Sequence, residues 1–138
     1  MDDAALTLRI LEYLARIPGW TWDTTGTYPT GTVALHYGAL AAAPDRGVGV
    51  RVYGEGSAQG VVGRRVQIKF RGGRGDVTGA DGLASTAQTV LEGLSRWGGI
   101  LSAERISFAP LGADANGREE RTDNYLIILD HMEASQHG

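Results

Sequence analysis

The sequence predicts an α+β domain: an antiparallel or mixed sheet of about five strands with two main helices packed on it, in the order α-β-β-β-α-β-β. Three observations predict it. Two segments, 3–17 and 79–97, repeat apolar residues at three- and four-residue spacing, the period of a helix with one buried face. Five shorter segments alternate apolar and polar residues or run continuously apolar, as strands do. The strands fall in runs between and after the helices, a grouping that suits segregated layers.

The elements follow in order. Leu6, Ile10, Tyr13, Leu14 and Ile17 make the apolar face of the first helix, and Pro18-Gly19 ends it. Residues 18–31 show no period and read as an ordered loop. Val33, Leu35 and Tyr37 mark a strand over 32–38. Val48, Val50 and Val52 mark another over 47–54, with Arg51 and Tyr53 on its opposite face. Gly54-Glu55-Gly56-Ser57-Ala58-Gln59-Gly60 reads as a long mobile connection. Over 63–71, Val66, Ile68 and Phe70 face one way, and Arg65, Gln67, Lys69 and Arg71 the other. Leu83, Ala87, Val90, Leu91, Leu94 and Trp97 line the second helix. Thr78 and Asp81 resemble a capping box, and Gly98-Gly99 supplies a left-handed stop. Strands over 102–109 and 122–131 close the fold around Asn116-Gly117, a hairpin turn signal. Tyr125 to Leu129 is apolar on both faces, which marks a strand that is central or covered on both sides. The tail from about Glu133 is polar.

The length of 138 residues gives one domain, 1–138. Hydrophobic residues are 42% and charged residues 21%, a globular balance. The net charge of -3 excludes a general nucleic-acid binder held by overall positive charge. With no cysteine, disulfides, thiolate catalysis and iron–sulfur clusters are excluded. Lys69 is the one lysine among thirteen Lys and Arg, a usage that fits a GC-rich genome. Asp2 and Asp3 stand where a secretory signal carries positive charge, and no stretch approaches the ~20 apolar residues of a membrane span.

No motif points to a catalytic residue, a cofactor or a metal. The Gly54–Gly60 run has the wrong spacing for a dinucleotide loop and precedes a strand. Asp114-Ala115-Asn116-Gly117 lacks the further ligands of a calcium loop and reads as a hairpin turn. His36 reads as a side chain on a strand's polar face; neither it nor His131 or His137 has a second ligand at metal spacing. The candidate interaction residues are of two kinds. Arg64, Arg65, Lys69, Arg71 and Arg74 make a basic cluster in an acidic protein: a solvated face, or a docking surface for an acidic neighbour or passing DNA phosphates. Arg65, Lys69 and Arg71 are expected to point away from the core together. Trp20, Trp22 and Tyr53 lie in or beside loops, where they either cap the core or form a partner surface.

Several strings occur in a characteristic order: Tyr28-Pro29-Thr30-Gly31, Pro44-Asp45-Arg46, the Gly54 loop, Val66-Gln67-Ile68 before Arg71-Gly72, and the helix with Leu83, Leu91 and Leu94. Leu111-Gly112-x-Asp114-x-Asn116-Gly117-Arg118 and Asn124-Tyr125 follow. The set resembles the minor capsid or tail terminator proteins of long-tailed bacteriophages, especially those of actinobacteria, over most of the chain. The resemblance implies a small sandwich of sheet and helices and a structural virion protein of the neck, assembled in the host cytoplasm. It implies a homo-oligomeric ring, a hexamer, that caps the tail tube, stops its polymerisation and joins a head-closure or connector protein. Genomic DNA would pass the lumen without specific binding, and no membrane is involved. The other readings are a neighbouring head-closure or tail-completion adaptor, and a small host enzyme or nucleic-acid-binding α+β domain.

Overall fold

A computed structural model describes residues 1–58 and 60–130. It shows a mixed six-stranded sheet with two helices, α1 (Asp3–Leu14) and α2 (Gly79–Glu92). The strands are β1 (Trp20–Trp22), β2 (Val33–Tyr37), β3 (Gly47–Ala58), β4 (Val61–Arg74), β5 (Ile100–Ala113) and β6 (Arg118–Leu129). Their order across the sheet is β1-β2-β3-β4-β6-β5. β1, β2 and β3 are parallel; every pair from β3 to β5 is antiparallel.

One core lies between the sheet and both helices. Val48 and Val50 of β3, Val66, Ile68 and Phe70 of β4, and Tyr125 and Ile127 of β6 are fully buried there. Each set recurs at every second residue, so a single face of the sheet receives the helices. α1 contributes Leu6, Ile10, Leu11 and Leu14. Its N-terminus is capped by Asp2, whose carboxylate accepts from the Ala5 N–H at 2.7 Å. α2 buries small residues, Ala80, Ala84 and Ala87, with Leu91. Small side chains let its first turn approach β4 closely. A Cβ on Gly72 would lie 2.8 Å from the backbone nitrogen of Ala80, so only glycine fits there.

The fold class and the element order agree with the sequence, and β6 is central, as its apolar run allows. Several local expectations are corrected. The 18–31 loop contains a sixth strand, β1, too short for a period to show. Residues 54–58 are not a mobile connection: they continue β3 and pair with Val61–Arg65 in a hairpin arm. The glycines misled because they lie within strands; Gly56 faces Arg65 and Leu126, and a Cβ there would crowd both. Thr78 makes no capping bond. Its hydroxyl donates instead to Asp76, and Asp81 is taken by Arg121. α2 ends at Glu92, while Gly98 and Gly99, both at positive φ, form a tight turn that bridges Trp97 to Ile100. β4 runs past residue 71 to Arg74, with a register shift between Arg71 and Arg74. The Asn116-Gly117 turn is as expected: Gly117 has φ 72° and its N–H donates to the Asp114 carbonyl at 3.0 Å. The polar tail from Glu133, with His131 and His137, lies outside the described residues.

Candidate functional site

The sheet face opposite the helices carries the basic residues that the sequence singled out on β4. Arg51 of β3, Arg65, Gln67 and Lys69 of β4, and Asn124 of β6 share it, because each alternates with a buried core residue and their strands are in register. Arg65 and Arg51 are exposed. The Arg65 guanidinium lies along its own hairpin and donates from Nε to the Glu55 carbonyl at 3.2 Å. Lys69 Nζ stands 3.6 Å from a Glu120 carboxylate oxygen, and the Gln67 amide is 3.5 Å from Asn124 Oδ1. The face is polar and cationic, and neither α1 nor α2 covers it.

Arg71 and Arg64 do not belong to this free surface. Arg71 is on the same side as Lys69, but the segment 41–46 folds over it and leaves it buried. Its guanidinium donates to three backbone carbonyls: Asp45 from Nε at 2.7 Å, and Ala41 and Pro44 from Nη2 at 2.7 and 2.9 Å. Burial, and secondarily the neighbouring Arg118, push its pKa down from the usual range. A buried charge left unpaired is costly. Three carbonyl acceptors satisfy this one without a carboxylate. Arg64 lies on the core side with Val66, buried between the Asp3 carboxylate at 3.4 Å and Glu55 at 4.0 Å. Arg74 is exposed and paired with Asp45 at 3.1 Å.

The aromatic candidates divide. Trp20 is a core residue, and Trp22 is half-buried against the same core. Tyr53 is exposed, at the register shift between Val52 and Gly54, where the extra residue turns the side chain outward.

Two features escaped the sequence reading. The first is a charge network at the edge of the core. Asp123 is fully buried, 2.7 Å from Arg121 Nε and 3.3 Å from Arg105 Nη1, and Arg121 continues to Asp81 at 3.0 Å. Both guanidiniums lie over the Phe108 ring, at 4.8 Å for Arg105 and 4.3 Å for Arg121. The spacing did carry a signal: Arg121 and Asp123 fall in the two-residue register of Tyr125, Ile127 and Leu129, the core face. The second is the apolar surface of β5, where Ile106, Phe108 and Leu111 are exposed. β5 is an outer strand of the sheet: among the described strands β6 alone pairs with it, its start is bridged by Trp97, and Glu92 accepts from the Arg105 N–H at 2.9 Å.

Shallow depressions mark the surface, one of them, of about 280 Å³, on the cationic face itself between Gly38, Gly49, Arg51, Gln67 and Lys69. An open cleft of about 700 Å³ lies between 26–32 and 43–46, with Gly73 at one wall. A groove of about 430 Å³ between the helices is lined by Tyr13, Ile17, Pro18 and Val90. Next to the cleft, the edge of the Tyr28 ring meets His36, whose imidazole is buried and held below its ordinary pKa by that burial and by Arg71. Among the described residues, no group of three or more His, Asp or Glu is placed to hold a metal ion, and no helix is long and apolar enough to cross a membrane.

The sheet is covered by helices on one side and leaves a cationic face and an apolar outer strand exposed, features common on surfaces that meet other proteins. The comparisons with known proteins give the particular family. Residues 19–131 match the bacteriophage tail terminator proteins, and the chain belongs to that family. It is a structural tail terminator of the virion. Among solved structures, the fold is similar to a chain in the virion of a native gene transfer agent particle. The TM-score is 0.58 and the identity 13%, covering 92% of this chain and 96% of that one. No curated protein matches the sequence.

Proposed function

We propose that the protein works without enzymatic chemistry, as a homo-oligomeric ring, a hexamer, that docks on the end of the tail tube and stops its growth. The opposite side of the ring receives the head-closure or connector protein, and genomic DNA passes through the lumen without specific binding. The observation that carries this reading is the cationic sheet face of Arg51, Arg65 and Lys69, which both helices leave uncovered in a family of tail terminators. Arg65, Lys69 and the exposed Tyr53 are contact residues for a neighbouring protein. Arg64, Arg71 and Trp20 support the surface from within. A face of this kind makes salt-sensitive contacts to carboxylates.

The test is addition of the purified protein to polymerising tail tube protein. Electron microscopy is expected to show rings at tube ends and a shortened, narrowed length distribution. Tubes that grow unchanged, with no density added at their ends, overturn the reading.

A further inference from the structure

The depression on the cationic face is a socket floored by glycine backbone. Gly38 and Gly49 form its base, and Arg51, Gln67 and Lys69 stand around it. A Cβ on Gly49 would lie 2.2 Å from the Gly38 carbonyl oxygen, so only glycine fits there and the floor stays open. The Arg51 guanidinium crosses Gly38 and rests on the Tyr37 ring, 5.7 Å from its centroid, which fixes its direction before any partner arrives. Lys69, on the adjacent strand, stands 3.6 Å from Glu120. Among the described residues, no carboxylate pairs with Arg51. The socket therefore holds an unmatched positive charge on a pre-oriented donor, the arrangement that receives a carboxylate.

The chain carries a match of its own. Among the described residues, Glu12 and Glu104 are the exposed carboxylates that make neither a hydrogen bond nor an ion pair. Glu104 is in register with Leu126, on the same sheet face as the socket. Glu12 lies on the outward side of α1, away from the buried Ile10, Leu11 and Leu14. α1 packs on β2 and β3, and β3 bears the socket on its other face, so Glu12 and the socket stand on opposite sides of the subunit. A ring of one chain needs two different surfaces that meet head to tail. A Glu104 contact would bring like faces together. A Glu12 contact sets the helix side of one copy on the sheet face of the next.

We infer that the socket receives the Glu12 carboxylate of a second copy, between Arg51 and Lys69. Leu8, one turn before Glu12 and also exposed, then meets the same surface, where Tyr37 is exposed. This inference rests on the ring reading above and names the contact that repeats around it.

Lys69 is the chain's one lysine, so carbodiimide coupling, which joins an amine to a touching carboxylate as an amide, has a single side chain to report on. Unlabelled and heavy-isotope-labelled protein are mixed, assembled and coupled, and the joined peptides are read by mass spectrometry. A mixed-isotope Lys69–Glu12 link is expected, with the Lys69–Glu120 link within one copy as the internal control. The coupling uses the unaltered protein, so it stands whether or not a variant folds. Separately, Glu12→Arg or Arg51→Glu should each weaken association about tenfold or more, and their combination should restore it. In a ring confirmed by light scattering, three results overturn this contact and leave the ring reading standing: mixed links from Lys69 to another carboxylate such as Glu104, the Glu120 control alone, or charge reversals without effect on association. A link only to tube protein, when tubes are present, also overturns it. A protein that stays monomeric with and without tubes overturns both.

Discussion

Arg118 Nη1 donates a 2.7 Å hydrogen bond to the carbonyl of Ala42, 76 residues earlier in the chain. The same nitrogen stands 3.2 Å from Asp45, and Nε is 2.8 Å from Asp114. Together with Arg71, it accounts for how a segment without secondary structure is held against the sheet. Residues 41–46 present the carbonyls of Ala41, Ala42, Pro44 and Asp45 to two buried guanidiniums from β4 and β6. A planar fork of donors suits this task; an ammonium reaches fewer acceptors in fixed directions.

The first prediction concerns that clamp. Arg71→Ala should destabilise the protein by about 3 kcal/mol, because three partly buried carbonyls lose a charged donor and a buried side chain is removed. Arg118→Ala, whose carboxylate partners are partly exposed, should remove about 2 kcal/mol. Arg71→Lys should recover less than half of the loss. Urea unfolding measures the effect, and hydrogen exchange should show faster amides in residues 41–46. A wild-type midpoint for Arg71→Ala would show that the carbonyls are equally well served by water.

The buried network around Asp123 should be more sensitive. Removal of this carboxylate leaves Arg121 and Arg105 facing each other beneath Phe108. Asp123→Ala should destabilise by about 3–5 kcal/mol, the usual effect of breaking a buried pair. Asp81→Ala removes only the exposed end of the chain of charges and should have an effect below about 1 kcal/mol. Thermal unfolding of the two variants side by side tests the ranking; equal effects would contradict the geometry.

His36 gives the pH dependence. Burial, with Arg71 as the lesser cause, holds its pKa below 6.5 in the folded state. The unfolded chain therefore binds a proton first as pH falls, and stability must drop below about pH 6.5. Asp114 acts lower down. The Arg118 N–H and other donors hold its carboxylate below 3.8, so its contribution is present above that value and lost beneath it. A decline between pH 6.5 and 3.8 that disappears in His36→Gln identifies the imidazole. A slope unchanged in that variant would place the proton elsewhere.

The sequence made the core legible because burial there follows period two or the helical period: Val66, Ile68 and Phe70 in β4, and Leu6, Ile10 and Leu14 in α1, are buried as their spacing implies. It failed where contacts are made by segments distant along the chain. Nothing local distinguishes Arg71 from Lys69; both alternate with core residues, and only the segment 41–46 separates a clamped, buried guanidinium from an ammonium half-exposed beside Glu120. Likewise, Gly54 and Gly56 have the composition of a loop, yet β4 supplies the partner that makes them strand. Trp20 was undecided between core and surface because a three-residue strand has no readable period. The edge of β5 was missed for a related reason: alternation shows which way a side chain points, not whether another strand lies beside it.

The last prediction separates the free cations from the buried ones. Arg65 and Lys69 share the uncovered sheet face, with Glu120 beside Lys69 and the Glu55 carbonyl beside Arg65 as their contacts. Neither contact is deeply buried, so Arg65→Glu with Lys69→Glu should shift stability by less than about 1 kcal/mol. Arg71→Glu cannot serve as a surface probe, since it would place a carboxylate among three carbonyl oxygens and unfold the 41–46 segment. In the folded double variant, capping of tail tubes should be weakened, and the wild-type protein should lose capping in the same direction as salt is raised. Capping is read from tube lengths by electron microscopy and from infectious particles in complementation. A compensating Glu→Arg change on the contacting surface should restore it. If the double variant folds, caps tubes and supports infection at wild-type levels, Arg65 and Lys69 are solvated charges and the docking surface lies on another face.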